Sequence, residues 1–139
     1  ALAVHDHLKA SDPSSLERLQ HSFARDVVTP GAVDPMALIA HNRFPVFSTA
    51  TDGPTLRYMR YWIEKGHQRL GQPLEADDLR AFDALDAALN HPRFCHSFQL
   101  QEGDILLIDN HKLVHDREAY EDDPHRPRRL IRLWLNETR

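Results

Sequence analysis

The last third of the sequence changes from helical to strand periodicity, and this change constrains the fold more than any other feature. Residues 105–108 read Ile-Leu-Leu-Ile, a continuous apolar run that predicts a strand covered on both faces. Strand patterns also occupy 97–100, 113–115 and, after a charged loop at 120–127, 128–135. The sequence therefore predicts core strands over roughly 97–139.

Residues 1–95 read mainly as helix and loop. In the clearest helical pattern, Leu79, Phe82, Leu85 and Leu89 share one face. Residues 1–24 predict two helical pieces, the second capped by Ser11 or Asp12 with Pro13 at its first position. The other predicted elements are helices over 61–70 and 75–90, strands over 44–49 and 55–60 around a turn at 51–54, and a loop over 25–43 with one short strand at 27–28. This order predicts an α+β or mainly β fold, in which helices flank the strands.

Composition excludes several classes of protein. The net charge of −4 is mild, so nucleic acid is not an expected partner. No apolar run approaches the roughly 20 residues of a membrane-spanning helix. Cys95 is the only cysteine, which excludes an internal disulfide and is compatible with a reducing, cytoplasmic location. The oligomeric state is not readable, and a homo-oligomer is compatible with the sequence.

Three side chains of the last third suit a ligand site. His115 ends a predicted strand, and a neutral imidazole is the commonest metal ligand in proteins. Arg128 and Arg132 lie four residues apart, on one face of the last predicted strand, where two guanidinium groups suit a carboxylate. A hydrogen-bonded structural histidine and an internal ion pair of the arginines with protein acids stay open as alternatives.

The motifs of this region resemble a known family. Gly103-Asp104, Ile108-Asp109-Asn110, His115-x-Arg117 and Arg128-x-x-x-Arg132 are similar to the C-terminal part of the taurine dioxygenase / 2,4-dichlorophenoxyacetate dioxygenase superfamily. Its gamma-butyrobetaine hydroxylase-like and amino-acid hydroxylase branches look most similar. Upstream, Pro45-Val46-Phe47, Arg57-Tyr58-x-Arg60 and the helix at 75–90 also resemble this family, so the resemblance runs through nearly the whole chain and is strongest after Gly103. The resemblance implies a double-stranded β-helix (jelly-roll) core with flanking helices. Residues 1–139 would form the C-terminal portion of a single oxygenase domain.

The resemblance also implies a chemistry. Members of this superfamily are Fe(II)/2-oxoglutarate-dependent dioxygenases, with iron held by two histidines and one carboxylate. His115 would be the distal iron ligand, Arg128 and Arg132 would bind 2-oxoglutarate, and Asn110 and Arg117 would contact the substrate or support the ligands. The partners would be O2 and a small polar substrate that becomes hydroxylated, with ascorbate as an optional reductant.

The resemblance also implies a proximal iron-binding motif, His-x-Asp or His-x-Glu, and the sequence lacks it. None of the ten histidines is followed two residues later by Asp or Glu. We therefore expect that the N-terminal half of the oxygenase is absent from this chain, and that the chain alone is inactive. The rival interpretation is a non-catalytic, jelly-roll-like binding domain or a degenerate domain that acts through association.

Overall fold

A computed structural model describes residues 1–26, 34–121, 123, 125 and 129–135. Within these residues the chain is a small α+β structure with two short antiparallel sheets. The elements are α1 (Leu2–Ser11), α2 (Pro13–Leu19), β1 (Ser22–Ala24), α3 (Pro35–His41), β2 (Arg43–Pro45), β3 (Phe47–Ala50), β4 (Gly53–Leu56), α4 (Arg60–Leu70) and α5 (Ala76–Leu89). β1 pairs with β2, and β3 pairs with β4.

The hydrophobic core forms where the helices meet the two hairpins. Phe82 of α5 is fully buried and lies 5.0 Å from Phe23 of β1, ring centroid to ring centroid, in an edge-to-face arrangement. Phe47 and Leu56 face each other across β3 and β4 and are both buried. All buried hydrophobic side chains of the described residues lie between Val4 and Ala88.

The two helices with the clearest apolar pattern are confirmed. α5 begins with a capping box, in which the side chains of Glu75 and Asp78 each accept a hydrogen bond from the other residue's backbone nitrogen. α4 ends at Gly71, which has a left-handed φ of 64°. The predicted division of the helical stretch 1–24 at Asp12 and Pro13 is confirmed, because Asp12 ends α1 and caps α2, which begins at Pro13. Its last residues were predicted wrongly, because residues 22–24 form β1.

The loop predicted over 25–43 is wrong in its second half. Asp34 accepts a hydrogen bond from the backbone nitrogen of Ala37 at 2.9 Å, and Pro35 occupies the first turn, so that a capped helix, α3, follows. The strand expected at 27–28 lies outside the described residues.

The core strands predicted over 97–139 are not formed in the described part of that range. Residues 97–121 and 129–135 contain turns but neither helix nor strand, and Ile105 and Ile131 are 86% and 90% exposed. A strand requires a neighbouring strand to receive its backbone hydrogen bonds, and periodicity cannot supply that neighbour. The structure therefore supports the α+β class, and it does not itself show a double-stranded β-helix.

The helices of the described residues are too short or too polar to cross a bilayer.

Gly66 allows α4 to approach β1 closely. A Cβ atom at this position would lie 2.9 Å from backbone atoms of Ala24 and Asp26. We expect Gly66→Ala to lower the free energy of unfolding by about 1–3 kcal/mol, because backbone atoms cannot move aside, despite the higher helix propensity of alanine. Urea denaturation followed by circular dichroism measures the change.

Gly71→Ala is the control for this prediction. No atom lies within 4 Å of a Cβ at Gly71. Alanine there is therefore destabilised only by the left-handed backbone conformation, which costs about 1 kcal/mol. A Gly66→Ala variant as stable as the wild type would contradict the close packing of α4 on β1.

Candidate active site

A tight turn precedes His115 and displays Asn110. The carboxylate of Asp109 accepts a hydrogen bond from the backbone nitrogen of His111 at 2.9 Å. Its carbonyl oxygen accepts from the backbone nitrogens of Lys112 and Leu113 at 3.1 and 3.0 Å. This local bonding is typical of aspartate in turns. It leaves Asn110 exposed at the tip, and the predicted contact of Asn110 with a substrate stays a prediction.

The turn is attached to the β3–β4 hairpin. The backbone nitrogen of Leu56 donates to the carbonyl oxygen of His111 at 2.9 Å. The ammonium group of Lys112 lies 3.0 Å from a carboxylate oxygen of Asp52, and hydrogen bonding from Lys112 lowers the pKa of Asp52. These contacts join the segment that carries His115 to the folded part of the chain.

His115 and Arg132 lie in contact, although 17 positions separate them. An Nη2 nitrogen of Arg132 is 2.9 Å from Nε2 of His115. A guanidinium group has only donors, so this contact requires that Nε2 accepts and that the proton of a neutral imidazole sits on Nδ1. The structure thus brings together two of the side chains that the sequence singles out, in the imidazole form that presents an Nε2 lone pair.

The other two predicted arginines are placed differently. The guanidinium carbon of Arg117 lies 5.0 Å from the centroid of the Tyr120 ring. The guanidinium carbon of Arg132 lies 5.4 Å from the centroid of the Trp134 ring. Such stacking holds a planar guanidinium in a preferred orientation. Arg128 lies outside the described residues.

The side chains described do not by themselves make an iron site. No group of three or more His, Cys, Asp or Glu residues that could hold a metal ion occurs in the part of the chain that the structure describes. His115 is exposed, and its Nε2 is already bonded to Arg132. An iron site of two histidines and one carboxylate would therefore need ligands beyond those described.

The structure buries an arginine, Arg25, that the sequence does not single out. Arg25 is only 4% exposed, and its guanidinium donates to the carbonyl oxygens of Phe44 at 2.9 Å and Arg57 at 2.6 Å. Burial, and secondly the charge of Arg57, lowers the pKa of Arg25 to about 10. No sequence signal marks it, because it follows a three-residue strand whose burial depends on distant helices.

A cleft of about 380 Å³ lies beside this arginine. β2, β4 and the turn that precedes His115 border it. Its lining includes Arg43, Arg57 and His111 as well as the hydroxyl residues Ser48 and Thr55. His111 connects the cleft to the candidate site, because it lies four residues before His115 in the same segment.

The chain matches one known protein family over most of its length. Residues 1–134 match the family described as "Taurine catabolism dioxygenase TauD, TfdA family". The chain belongs to this family. The predicted resemblance, which runs through nearly the whole chain, is thereby confirmed.

Two curated proteins are similar to this TauD/TfdA family member. An FR-33289 synthase from Streptomyces rubellomurinus (strain ATCC 31215) is 30% identical over 83 residues, which are 57% of this chain and 24% of that protein. A uridine-5'-phosphate dioxygenase from an Amycolatopsis species is 40% identical over 58 residues, 42% of this chain and 21% of that protein. The matches thus span less than a quarter of each relative's length. No solved structure matches the chain significantly.

Proposed function

We propose that the protein is an Fe(II)/2-oxoglutarate-dependent dioxygenase that hydroxylates a small polar molecule. The proposed reaction consumes O2 and 2-oxoglutarate. One oxygen atom enters a C–H bond of the substrate as a hydroxyl group, and the other enters succinate as carbon dioxide leaves. The contact between His115 and Arg132, in a chain that belongs to the TauD/TfdA family, carries the proposal.

The roles of the named residues follow from their chemistry. His115 would be one iron ligand through Nε2, the atom whose lone pair now accepts from Arg132. Arg132, and Arg128 outside the described residues, would bind the carboxylate of 2-oxoglutarate through their planar guanidinium groups. Asn110 and Arg117, which flank the histidine in sequence, would contact the substrate or support the ligands. Ascorbate would serve only as a reductant.

One of the two relatives supports an oxidation of a small molecule, without naming the substrate of this chain. It is named a uridine-5'-phosphate dioxygenase. We propose a small polar substrate, such as an amino acid, a quaternary amine or a nucleotide. The iron and the keto acid carry out the oxidative step when they are bound, and the protein positions the target carbon.

The isolated 139-residue chain is expected to show no robust turnover. Its described residues offer His115 but no group of three ligands. Decarboxylation of 2-oxoglutarate is measured with added Fe(II) and ascorbate, for this chain and for the complete polypeptide encoded with it. Activity of the complete polypeptide alone supports the proposal, whereas equal turnover by the isolated chain would refute the need for further ligands.

A non-catalytic association domain is the second candidate. Exposed apolar side chains in the last third favour it, since they suit contact with another chain or another segment: Ile105, Leu107, Ile131, Leu133, Trp134 and Leu135. A complete polypeptide that binds neither Fe(II) nor 2-oxoglutarate would favour this alternative over the oxygenase.

A further inference from the structure

The cleft between β2, β4 and the turn at 109–113 has a cationic lining. Arg43, Arg57 and His111 line it, together with the hydroxyl residues Ser48 and Thr55. The lining contains no acidic side chain among the residues that the structure describes. A concave surface with positive charge and hydroxyl donors, and without a competing carboxylate, suits an anion.

The two cleft arginines have no acidic partner among the residues that the structure describes. Arg43 donates a hydrogen bond to the uncharged side-chain oxygen of Gln72. The guanidinium carbon of Arg57 lies 4.0 Å from the centroid of the Phe44 ring. Neither arginine forms an ion pair with Asp or Glu within the described parts of the chain. Stacking on Phe44 holds the guanidinium of Arg57 by its face, so its N–H edge stays suited to a planar or tetrahedral oxyanion.

A third guanidinium lies behind the lining. Arg25 is buried, and its guanidinium carbon lies 4.9 Å from the centroid of the Phe44 ring. All hydrogen bonds described for its side chain go to backbone carbonyl oxygens. A buried positive charge without an acidic partner is costly, because it has lost its hydration and gained no opposite charge. An anion in the adjoining cleft would reduce that cost.

We propose that this cleft binds the oxyanion of a small molecule, a carboxylate or a phosphate group, with Arg57 and Arg43 as its principal ligands. A volume of about 380 Å³ suits a metabolite-sized ligand. The cleft lining does not include Arg132, one of the two arginines predicted to bind 2-oxoglutarate. The proposal stands without the dioxygenase activity, because it concerns binding alone.

Isothermal titration of the protein with inorganic phosphate and, separately, with sodium acetate tests the site. The ionic strength is held constant with sodium chloride, so that general screening does not imitate binding. We expect saturable binding of at least one of the two anions, and the tighter of them identifies phosphate or carboxylate as the preferred group. Arg57→Gln should weaken that binding about tenfold, the scale of one charge-assisted hydrogen bond.

The matched control is Arg93→Gln. Arg93 is also exposed and also lies over an aromatic ring, 5.5 Å from that of Phe94, but it does not line the cleft. Unchanged binding by Arg93→Gln, with weakened binding by Arg57→Gln, supports the site. No saturable binding of either anion, or equal binding by Arg57→Gln and the wild type, would overturn it. If circular dichroism shows that Arg57→Gln is unfolded, Arg43→Gln takes its place with the same expected loss.

Discussion

His115→Ala is expected to lower 2-oxoglutarate decarboxylation by the complete protein at least about 100-fold. The imidazole is the iron ligand that we predict in this sequence, and alanine offers no donor atom in its place. The wild-type side chain presents its Nε2 lone pair to Arg132 at 2.9 Å, so the nitrogen required for a metal is already in the accepting form. The rate is measured as succinate formed at saturating Fe(II).

The matched control for this prediction is His21→Ala. His21 is another exposed histidine, but it lies between α2 and β1. We expect its removal to leave the rate of succinate formation unchanged. Metal analysis of the purified variants adds a second readout, because loss of a ligand also lowers the iron content. A His115→Ala protein that retains both its iron and its rate would exclude His115 as a ligand.

The largest effect on stability is expected for Phe82→Ala. Phe82 is fully buried, and its ring lies 5.0 Å from that of Phe23 and 6.0 Å from that of Tyr58, between centroids. Truncation to alanine removes apolar burial and leaves a cavity that the surrounding helices cannot fill. The free energy of unfolding should fall by about 3–5 kcal/mol. Urea denaturation followed by circular dichroism and by tryptophan fluorescence measures it.

Phe98→Ala is the matched control for the core substitution. Phe98 is 67% exposed and follows the last helix, outside the core between Val4 and Ala88. Its replacement should change the free energy of unfolding by no more than about 0.5 kcal/mol. Similar losses for the two variants would mean that the region after residue 97 is packed in solution, contrary to the exposure in the structure.

The helices that were predicted well depend on local signals. In α5, acidic residues and a capping box precede an apolar stripe, and all of these lie within 15 residues of one another. In α4, Gly71 marks the end by its left-handed backbone. The cap of α3, Asp34-Pro35, carries an equally local signal, but the nearby glycine and prolines favour a loop.

The strands of the last third show the opposite situation. Their apolar alternation is clear, yet the described residues from 97 onward form none, because each strand depends on a partner. In the candidate site, too, the sequence predicts some features and only the tertiary structure shows the others. The sequence marks His115 and Arg132 by residue type and spacing, whereas their 2.9 Å contact depends on how two distant segments meet.

The sequence by itself therefore determined the family, the helices with complete local caps, and the residue types of the candidate iron and 2-oxoglutarate site. Only the tertiary structure decided which of those residues meet. It also revealed that Arg25 is buried against backbone carbonyls, and that Arg43, Arg57 and His111 line one cleft. The physical reason is range: caps and periodicity act within one or two helical turns, while burial, pairing and clefts arise from contacts between segments far apart in the chain.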